Sequence, residues 1–177
     1  MNFDVVPMPI DGPLFEGAIR VYGDAFAEPP YSDPDRGAEI RERLRDVHSS
    51  RRGYRAFVAT DPKGQVAGMI YGYHGADGQW WHDTVVKKLR GPLAEDWLGD
   101  SYELVELAVA PTRQRMGVGT TLIHKLLEGA TERTCVLSTR TDSRAHQLYS
   151  GEGFELVVEM PFVPRGGTFF VMGKRLR

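Results

Sequence analysis

The chain has 177 residues, a length that suits one domain with its own hydrophobic core. Its 22 basic and 24 acidic residues are interspersed and give a formal net charge of −2, which argues against nucleic acid as a partner. No apolar run approaches the ~20 residues that cross a bilayer, and the N-terminal stretch MNFDVVPMPIDGP lacks the features of a secretion signal.

The single cysteine, Cys135, excludes an internal disulfide framework and is expected to be a buried strand residue. No cluster of cysteine and histidine residues has the spacing of a metal site, so no metal is expected. These features predict a cytoplasmic protein that does not span a membrane. They leave open whether the chain forms a homodimer.

Apolar patterns predict strands and helices mixed along the chain. In the N-terminal part we predict a strand at 3–8, helices at 11–26 and 35–49, and a hairpin of strands at 54–60 and 65–73 around the turn DPKG. In the C-terminal part we predict a strand at 102–110, a helix that starts near Gly117, a strand at 134–140, a helix at 142–151, and strands at 154–160 and 168–174.

Residues 75–101 form an insert between two predicted strands where a short hairpin would suffice. A connection of this length usually has a function or a structure of its own. Within it, HDTVVKKLRGP predicts a short helix with Asp83 near its start and with Gly91-Pro92 at its end.

The stretch VAPTRQRMGVGTTLIHKLL runs from a strand end through a basic, glycine-containing turn into a helix. The first amides of such a helix have no carbonyl partner within it. Gly117 and Gly119 lack side chains that would keep an anion away, and Arg113 and Arg115 add positive charge. The turn therefore predicts a phosphate site.

The glycine spacing distinguishes among phosphate sites. GVGTTL lacks the third glycine of a dinucleotide-binding loop, and the lysine of a P-loop is absent. The hexapeptide QRMGVG, after the strand LVELAVAP, resembles the coenzyme A pyrophosphate loop of the GNAT family of N-acyltransferases. The later stretch DSRAHQLYSGEGFELV resembles a second motif of that family, with Ala145, Leu148, Tyr149, Gly153 and Phe154 in register. Asp142 stands where the family often has asparagine.

The resemblance implies an α/β fold with a mixed, mostly antiparallel central sheet flanked by helices, as one domain over residues 1–177. It also implies that acetyl-CoA, the cosubstrate, lies between two splayed central strands. The residues that the resemblance assigns to acetyl-CoA are Leu107, Ala108, Val109, Gln114, Arg115, Met116, Gly117, Val118, Gly119, Thr120, Asp142 and Ala145.

Two residues match the catalytic positions of the family. Alternation along the strand places Glu103 on the same face as Leu107 and Glu106 on the other face. Glu103 matches the family's general base by position, and Glu106 or a water molecule is the alternative. Tyr149 matches the family's general acid, which protonates the coenzyme A sulfur. The alternative is a core tyrosine whose hydroxyl has a structural partner.

The insert is predicted to cover the acceptor site. Trp80, Trp81 and Asp83 are expected to bind the acceptor, together with further aromatic and acidic residues that could enclose an amine cation: Trp97, Glu95, Asp96 and Asp100. The alternative is that the tryptophans only pack the insert onto the sheet.

The sequence therefore predicts an enzyme that transfers an acetyl group from acetyl-CoA directly to a primary amine of a small molecule. One alternative is a protein acetyltransferase that acts on a lysine or an N-terminus. Another alternative is a non-catalytic module that binds acyl-CoA. Fold resemblance alone does not name the acceptor.

Overall fold

A computed structural model of the chain describes residues 2–177. The strands of this part are β1 (Asp4–Pro7), β2 (Arg55–Thr60), β3 (Val66–His74), β4 (Ser101–Val109), β5 (Thr134–Arg140), β6 (Glu155–Pro161) and β7 (Thr168–Arg175). The α-helices are α1 (Gly12–Ala27), α2 (Arg36–Asp46), α3 (Trp80–Leu89), α4 (Gly91–Leu98), α5 (Val118–Glu128) and α6 (Ala145–Gly151).

The seven strands have the order β1-β2-β3-β4-β5-β7-β6. The pairs β1-β2, β2-β3, β5-β7 and β6-β7 are antiparallel. Strands β4 and β5 are parallel, with Ser101 opposite Thr134 and Glu103 opposite Val136. This mixed, mostly antiparallel sheet with helices confirms the predicted fold class.

The chain forms two compact units. Unit 1 contains the described residues up to Tyr73 together with Val105–Ala130, and unit 2 contains His74–Leu104 together with Thr131–Arg177. Each unit draws on two separate parts of the chain, and β4 passes from unit 2 into unit 1 after Leu104. The single-domain organisation stays a prediction.

The core of unit 1 is built by α1, α2 and the strands β2 and β3. Helix α1 has Pro13 in its first turn, where proline fits because the amide there needs no partner. Its apolar residues at helical spacing are buried, among them Phe15, Ala18, Ile19 and Tyr22. The predicted hairpin is confirmed: the Asp61 carboxylate accepts hydrogen bonds from the amides of Lys63 and Gln65, each at 2.9 Å.

Helix α5 lies unusually close to strand β3. A Cβ atom on Gly68 would lie 2.8 Å from Cγ1 of Val118 and 3.1 Å from the carbonyl oxygen of Ala108. Both distances are shorter than an ordinary contact, so only glycine allows this approach. Val118, Leu122, Ile123 and Leu126 of α5 are buried.

The insert contains two helices, where the sequence predicted one. Helix α3 ends at Leu89, as expected, and Arg90 follows with φ 59°. Gly91-Pro92 was predicted only to end this helix, and that was incomplete, because Gly91 begins α4. Proline stops a helix when it falls inside one, but it is well suited to a first turn.

Unit 2 has its own apolar core, formed where the insert packs on the strands. Val85, Trp97, Leu98, Val136, Met160 and Val171 are buried together. The Trp97 ring fills the space where a side chain at Gly173 would lie. Cys135 is buried on β5, as predicted, and burial raises the pKa of its thiol to about 12.

Other boundaries differ slightly from the sequence-based ones. Helix α2 stops at Asp46 and is followed by a 3-10 turn at His48–Ser50. Helix α6 starts at Ala145 instead of 142, and the Ser143 hydroxyl accepts a hydrogen bond from the Ala145 amide at 3.2 Å. Within residues 2–177, no helix has the length and apolarity needed to span a membrane.

Candidate active site

The predicted phosphate loop has the backbone geometry of an anion site. Gly117 has φ 83° and ψ 6°, a left-handed conformation that glycine adopts without strain, and it lies directly before α5. The Thr121 amide donates to the Gly117 carbonyl at 3.0 Å, which starts the helical ladder. The amides of Val118, Gly119 and Thr120 therefore have no acceptor within the helix. They lie at the positive end of the helix dipole.

The two arginines of this loop have different surroundings. The Arg113 guanidinium pairs with Asp61 at 2.6 Å and ties the loop to the β2-β3 turn. Backbone amides of that turn and Arg113 keep the pKa of Asp61 below its usual range. Arg115 has a positive φ of 65° and is exposed, so its charge faces solvent at the loop. Arg113 is thus a structural cation, and Arg115 is the loop's solvent-facing one.

The remaining predicted loop residues fit an exposed turn. Gln114 lies near the strand end, with Nε2 3.5 Å from the Val109 carbonyl oxygen. Met116 is exposed. On β4, Leu107 and Val109 are half-buried, and Ala108 belongs to the core of unit 1. Their assignment to acetyl-CoA stays a prediction.

A charged pair lies within unit 1, beside Leu107. Glu106 is largely buried, and its Oε1 is 3.7 Å from Nη2 of Arg36, at the start of α2. The Arg36 Nε donates to the Tyr22 hydroxyl at 2.8 Å, and its guanidinium lies 4.1 Å from the centre of the Phe26 ring. Burial raises the pKa of Glu106, although Arg36 acts in the opposite direction.

Sequence reasoning missed the partners of Glu106. Arg36 and Tyr22 are far from Glu106 along the chain, and no spacing rule joins them.

A second buried polar contact in this unit links Nδ1 of His48 to the Tyr71 hydroxyl at 2.8 Å. Burial, with the charges of Arg51 and Arg43, lowers the pKa of His48 to about 4. A neutral imidazole is therefore expected there at pH 7.

Both predicted catalytic residues lie in unit 2. Glu103 is 5% exposed and faces Val136 across the parallel pair. Tyr149 is on α6, 6% exposed, and its ring meets that of Phe154 edge-on at 5.8 Å. The Tyr149 ring therefore contributes to the core. Its predicted role as an acid concerns the hydroxyl alone.

Asp142 forms a bidentate ion pair that the sequence reading did not foresee. Arg140 donates to its two carboxylate oxygens at 2.9 and 2.7 Å, and these bonds lower the pKa of Asp142. Because the pair has no net charge, Asp142 repels an anion less than an isolated carboxylate would. The Arg-Thr-Asp spacing at the end of β5 was the available signal.

The tryptophans at the start of the insert surround Phe162, which follows β6. Trp81 is nearly parallel to the Phe162 ring, with centroids 6.2 Å apart, and its Nε1 donates to the Ser138 hydroxyl at 2.9 Å. Trp80 lies 5.9 Å from the same ring and is 60% exposed. Trp81 thus packs the insert onto the sheet. Trp80 presents an aromatic surface to solvent.

The other members of the predicted amine cage have structural partners. The Arg175 guanidinium lies 3.8 Å from the centre of the buried Trp97 ring and pairs with both carboxylate oxygens of Asp96. Arg133 is 3.9 Å from both Glu95 and Asp100. The Asp83 carboxylate accepts from the Gly78 amide. These contacts do not bring the acids together around one cation site.

The sequence matches the acetyltransferase (GNAT) family over residues 18–154. The chain belongs to the GNAT family. A GCN5-like protein acetyltransferase from Mycobacterium tuberculosis is 32% identical over an alignment of 191 positions, gaps included, and the alignment covers 90% of each chain. These matches make the chain an acetyl-CoA-dependent acetyltransferase, which argues against the non-catalytic alternative.

Solved GNAT structures share the fold. A GNAT-family protein from Desulfovibrio desulfuricans superposes with a TM-score of 0.72, at 16% identity, over 99% of this chain and 100% of that chain. The PaiA N-acetyltransferase of Thermoplasma acidophilum, solved with coenzyme A, gives 0.65 at 15% identity, over 99% of each chain. The amides at the start of α5 and the left-handed Gly117 fit the pyrophosphate that acetyl-CoA carries.

Replacement of Gly119 tests the phosphate loop. The side chain in Gly119→Val should keep the pyrophosphate away from the α5 amides. Hydrogen bonds to a charged group contribute ~1.5–3 kcal/mol each, so acetyl-CoA affinity should fall about 10- to 100-fold, and Gly119→Ala should lose less. Calorimetric titration measures this, with circular dichroism to verify the fold. Unchanged affinity in folded Gly119→Val would contradict the assignment.

Proposed function

We propose that this GNAT enzyme transfers the acetyl group of acetyl-CoA directly to a primary amine of a small molecule. The observation that carries the proposal is the presence of two largely buried carboxylates, Glu103 and Glu106, on β4, the strand that the family uses beside the thioester. A carboxylate there can accept the proton that an amine must lose. A cytoplasmic location, where Cys135 would stay reduced, belongs to the same proposal.

In the proposed reaction, the amine nitrogen attacks the thioester carbonyl carbon and the carbon–sulfur bond breaks. Glu103 accepts the proton from the amine, and Tyr149 donates a proton to the departing sulfur. The backbone amides of Leu107 to Val109 hold the acetyl end of the cosubstrate. The amides of Val118, Gly119 and Thr120 hold its pyrophosphate, with Gln114, Arg115 and Met116 at the loop, Asp142 in the turn before α6 and Ala145 at the start of α6.

A folded insert favours a small acceptor. Residues 80–98 form two helices that pack on unit 2, and Trp80 beside Phe162 supplies an exposed aromatic wall. Such a surface can bind the apolar part of an amine or stack on its cation. The third predicted acceptor residue, Asp83, faces His82 at 3.6 Å, so we assign neutralisation of the amine to Glu103 instead.

Protein acetylation is the second candidate, and the name of the Mycobacterium tuberculosis relative favours it. A panel of small primary amines and a panel of peptides with free lysines or N-termini should be compared for acetyl-CoA-dependent thiol release, with products identified by mass spectrometry. We expect the best small amine to exceed the best peptide in kcat/KM by about 100-fold, or ~2.7 kcal/mol. A preferred peptide would establish the second candidate.

The Tyr149→Phe variant separates the two roles of this residue, because it keeps the ring against Phe154 and deletes only the hydroxyl. Loss of a general acid should lower kcat by ~10²- to 10⁴-fold with little change in acetyl-CoA affinity. The measurement is the pH–rate profile of kcat in both proteins. A lower melting temperature with kcat and the alkaline limb unchanged would leave Tyr149 a purely structural residue.

The two carboxylates of β4 can be distinguished through Arg36. Glu103→Gln should lower kcat by ~10²- to 10⁴-fold if Glu103 is the base, and Glu106→Gln is the matched control. Arg36 lowers the pKa of Glu106, so Arg36→Gln should raise that pKa further. If Glu106 were the base, the acidic limb of the kcat profile would then move to higher pH. We expect the limb to stay in place in Arg36→Gln.

A further inference from the structure

One histidine and two aspartates meet at the start of the insert. Asp77 lies in the loop before α3, and His82 and Asp83 lie in the first turns of that helix. Nδ1 of His82 is 4.0 Å from Oδ1 of Asp77 and 3.6 Å from Oδ1 of Asp83. The three atoms that could bind a metal all lie within 4.8 Å of one another.

The tautomer of His82 follows from its other ring nitrogen. Nε2 lies 3.2 Å from the Leu98 carbonyl oxygen, and a carbonyl can only accept, so Nε2 carries the hydrogen. In the neutral ring, Nδ1 then has a lone pair. The side chain is 95% buried, and Nδ1 has no hydrogen-bond partner among the described residues.

The atoms that face one another here, Nδ1 of His82 and the carboxylate oxygens of Asp77 and Asp83, are all electron-rich. The Nδ1 lone pair faces two carboxylates, and three electron-rich atoms repel one another in the absence of a proton or a cation. No hydrogen bond joins Nδ1 to either carboxylate, because 3.6 and 4.0 Å are too long for one. A metal ion that binds all three atoms would relieve this repulsion.

We propose that Asp77, His82 and Asp83 bind a divalent zinc ion. Zinc binds nitrogen and oxygen at about 2.0–2.2 Å, which places two ligand atoms of a tetrahedral site roughly 3.3–3.6 Å apart. The His82–Asp83 distance already fits. Asp77 has a fully exposed side chain, so its carboxylate can rotate toward the other two ligand atoms, which lie within 4.8 Å of it. An imidazole ligand favours zinc over magnesium or calcium.

The groups around the site are those that orient metal ligands. A metal-binding histidine usually donates its second ring N–H to a carbonyl or carboxylate, as His82 does to Leu98. The Gly78 amide lies 3.1 Å from both carboxylate oxygens of Asp83 and holds that side chain in place. Because Leu98 ends α4, the imidazole also joins the two helices of the insert.

The ion would fasten the loop at Asp77 to the start of α3. Three protein ligands leave a fourth position for water on the exposed side of Asp77. Because its ligands would join the loop to the helix, we assign the ion a role in stabilising the insert, and this role is independent of the chemistry proposed for Glu103 and Tyr149. No spacing rule for metal ligands indicates this site, because its ligands include one histidine and no cysteine.

The test is calorimetric titration of the metal-stripped chain with zinc chloride, with no acetyl-CoA present. We expect one zinc ion per chain and a higher melting temperature in zinc. Asp77→Asn should weaken binding about tenfold or more. Asp4→Asn, at another exposed aspartate, and His124→Gln, at an exposed histidine, are matched controls and should bind zinc like the unmodified chain.

His82→Gln should abolish binding, but this buried position can also affect folding. Asp77→Asn and Asp83→Asn avoid that ambiguity, and magnesium chloride in place of zinc should give no comparable heat. Cobalt(II) supplies a further readout, because a tetrahedral site gives intense visible absorption that should be lost in both aspartate variants. Zinc binding that is absent, or unchanged in Asp77→Asn and Asp83→Asn, would overturn the proposal.

Discussion

The close approach of α5 to β3 is the contact on which the phosphate loop depends. Gly68 lets Val118 and Leu122 lie against the strand, at distances that a side chain there would force to increase. The buried face of α5 then fixes where its first amides point. Arg113, paired with Asp61 on the neighbouring turn, holds the loop from its other end. An anion site made of backbone atoms needs such support, because its donors have no freedom to adjust.

Unit 1 holds a partly buried pair of charges on β4 and α2, with the Arg36 side chain 33% exposed and that of Glu106 15% exposed. Removing the Glu106 carboxylate and the Arg36 guanidinium partly from water is costly, and such a pair often contributes little to stability. Here the guanidinium also rests on Phe26 and donates to Tyr22, which partly offsets its desolvation. A hydrophobic pair would serve the fold at least as well. The pair is therefore weak evidence for the stability of unit 1.

Local patterns predicted most of the fold. Strand β5 was predicted with its observed limits, because alternation and flanking turns act over a few residues. Helix α4 was missed because Gly91-Pro92 can either end one helix or begin the next. Only the packing of Trp97 decides between these two structures. The motifs located the loop and Tyr149. Pairs such as Arg36 with Glu106 join distant parts of the chain, and no periodicity shows them.

The distribution of tryptophan gives the molecule an optical property. All three tryptophans lie between residues 80 and 97, each in a different environment: Trp80 exposed, Trp81 beside Phe162 and Trp97 buried under Arg175. When tryptophan is excited at a wavelength that tyrosine does not absorb, the fluorescence therefore originates in the insert alone. The rest of the chain does not contribute to the emission. The emission wavelength and the quenching of this fluorescence therefore report local unfolding of the insert and the binding of ligands to it, without any attached label.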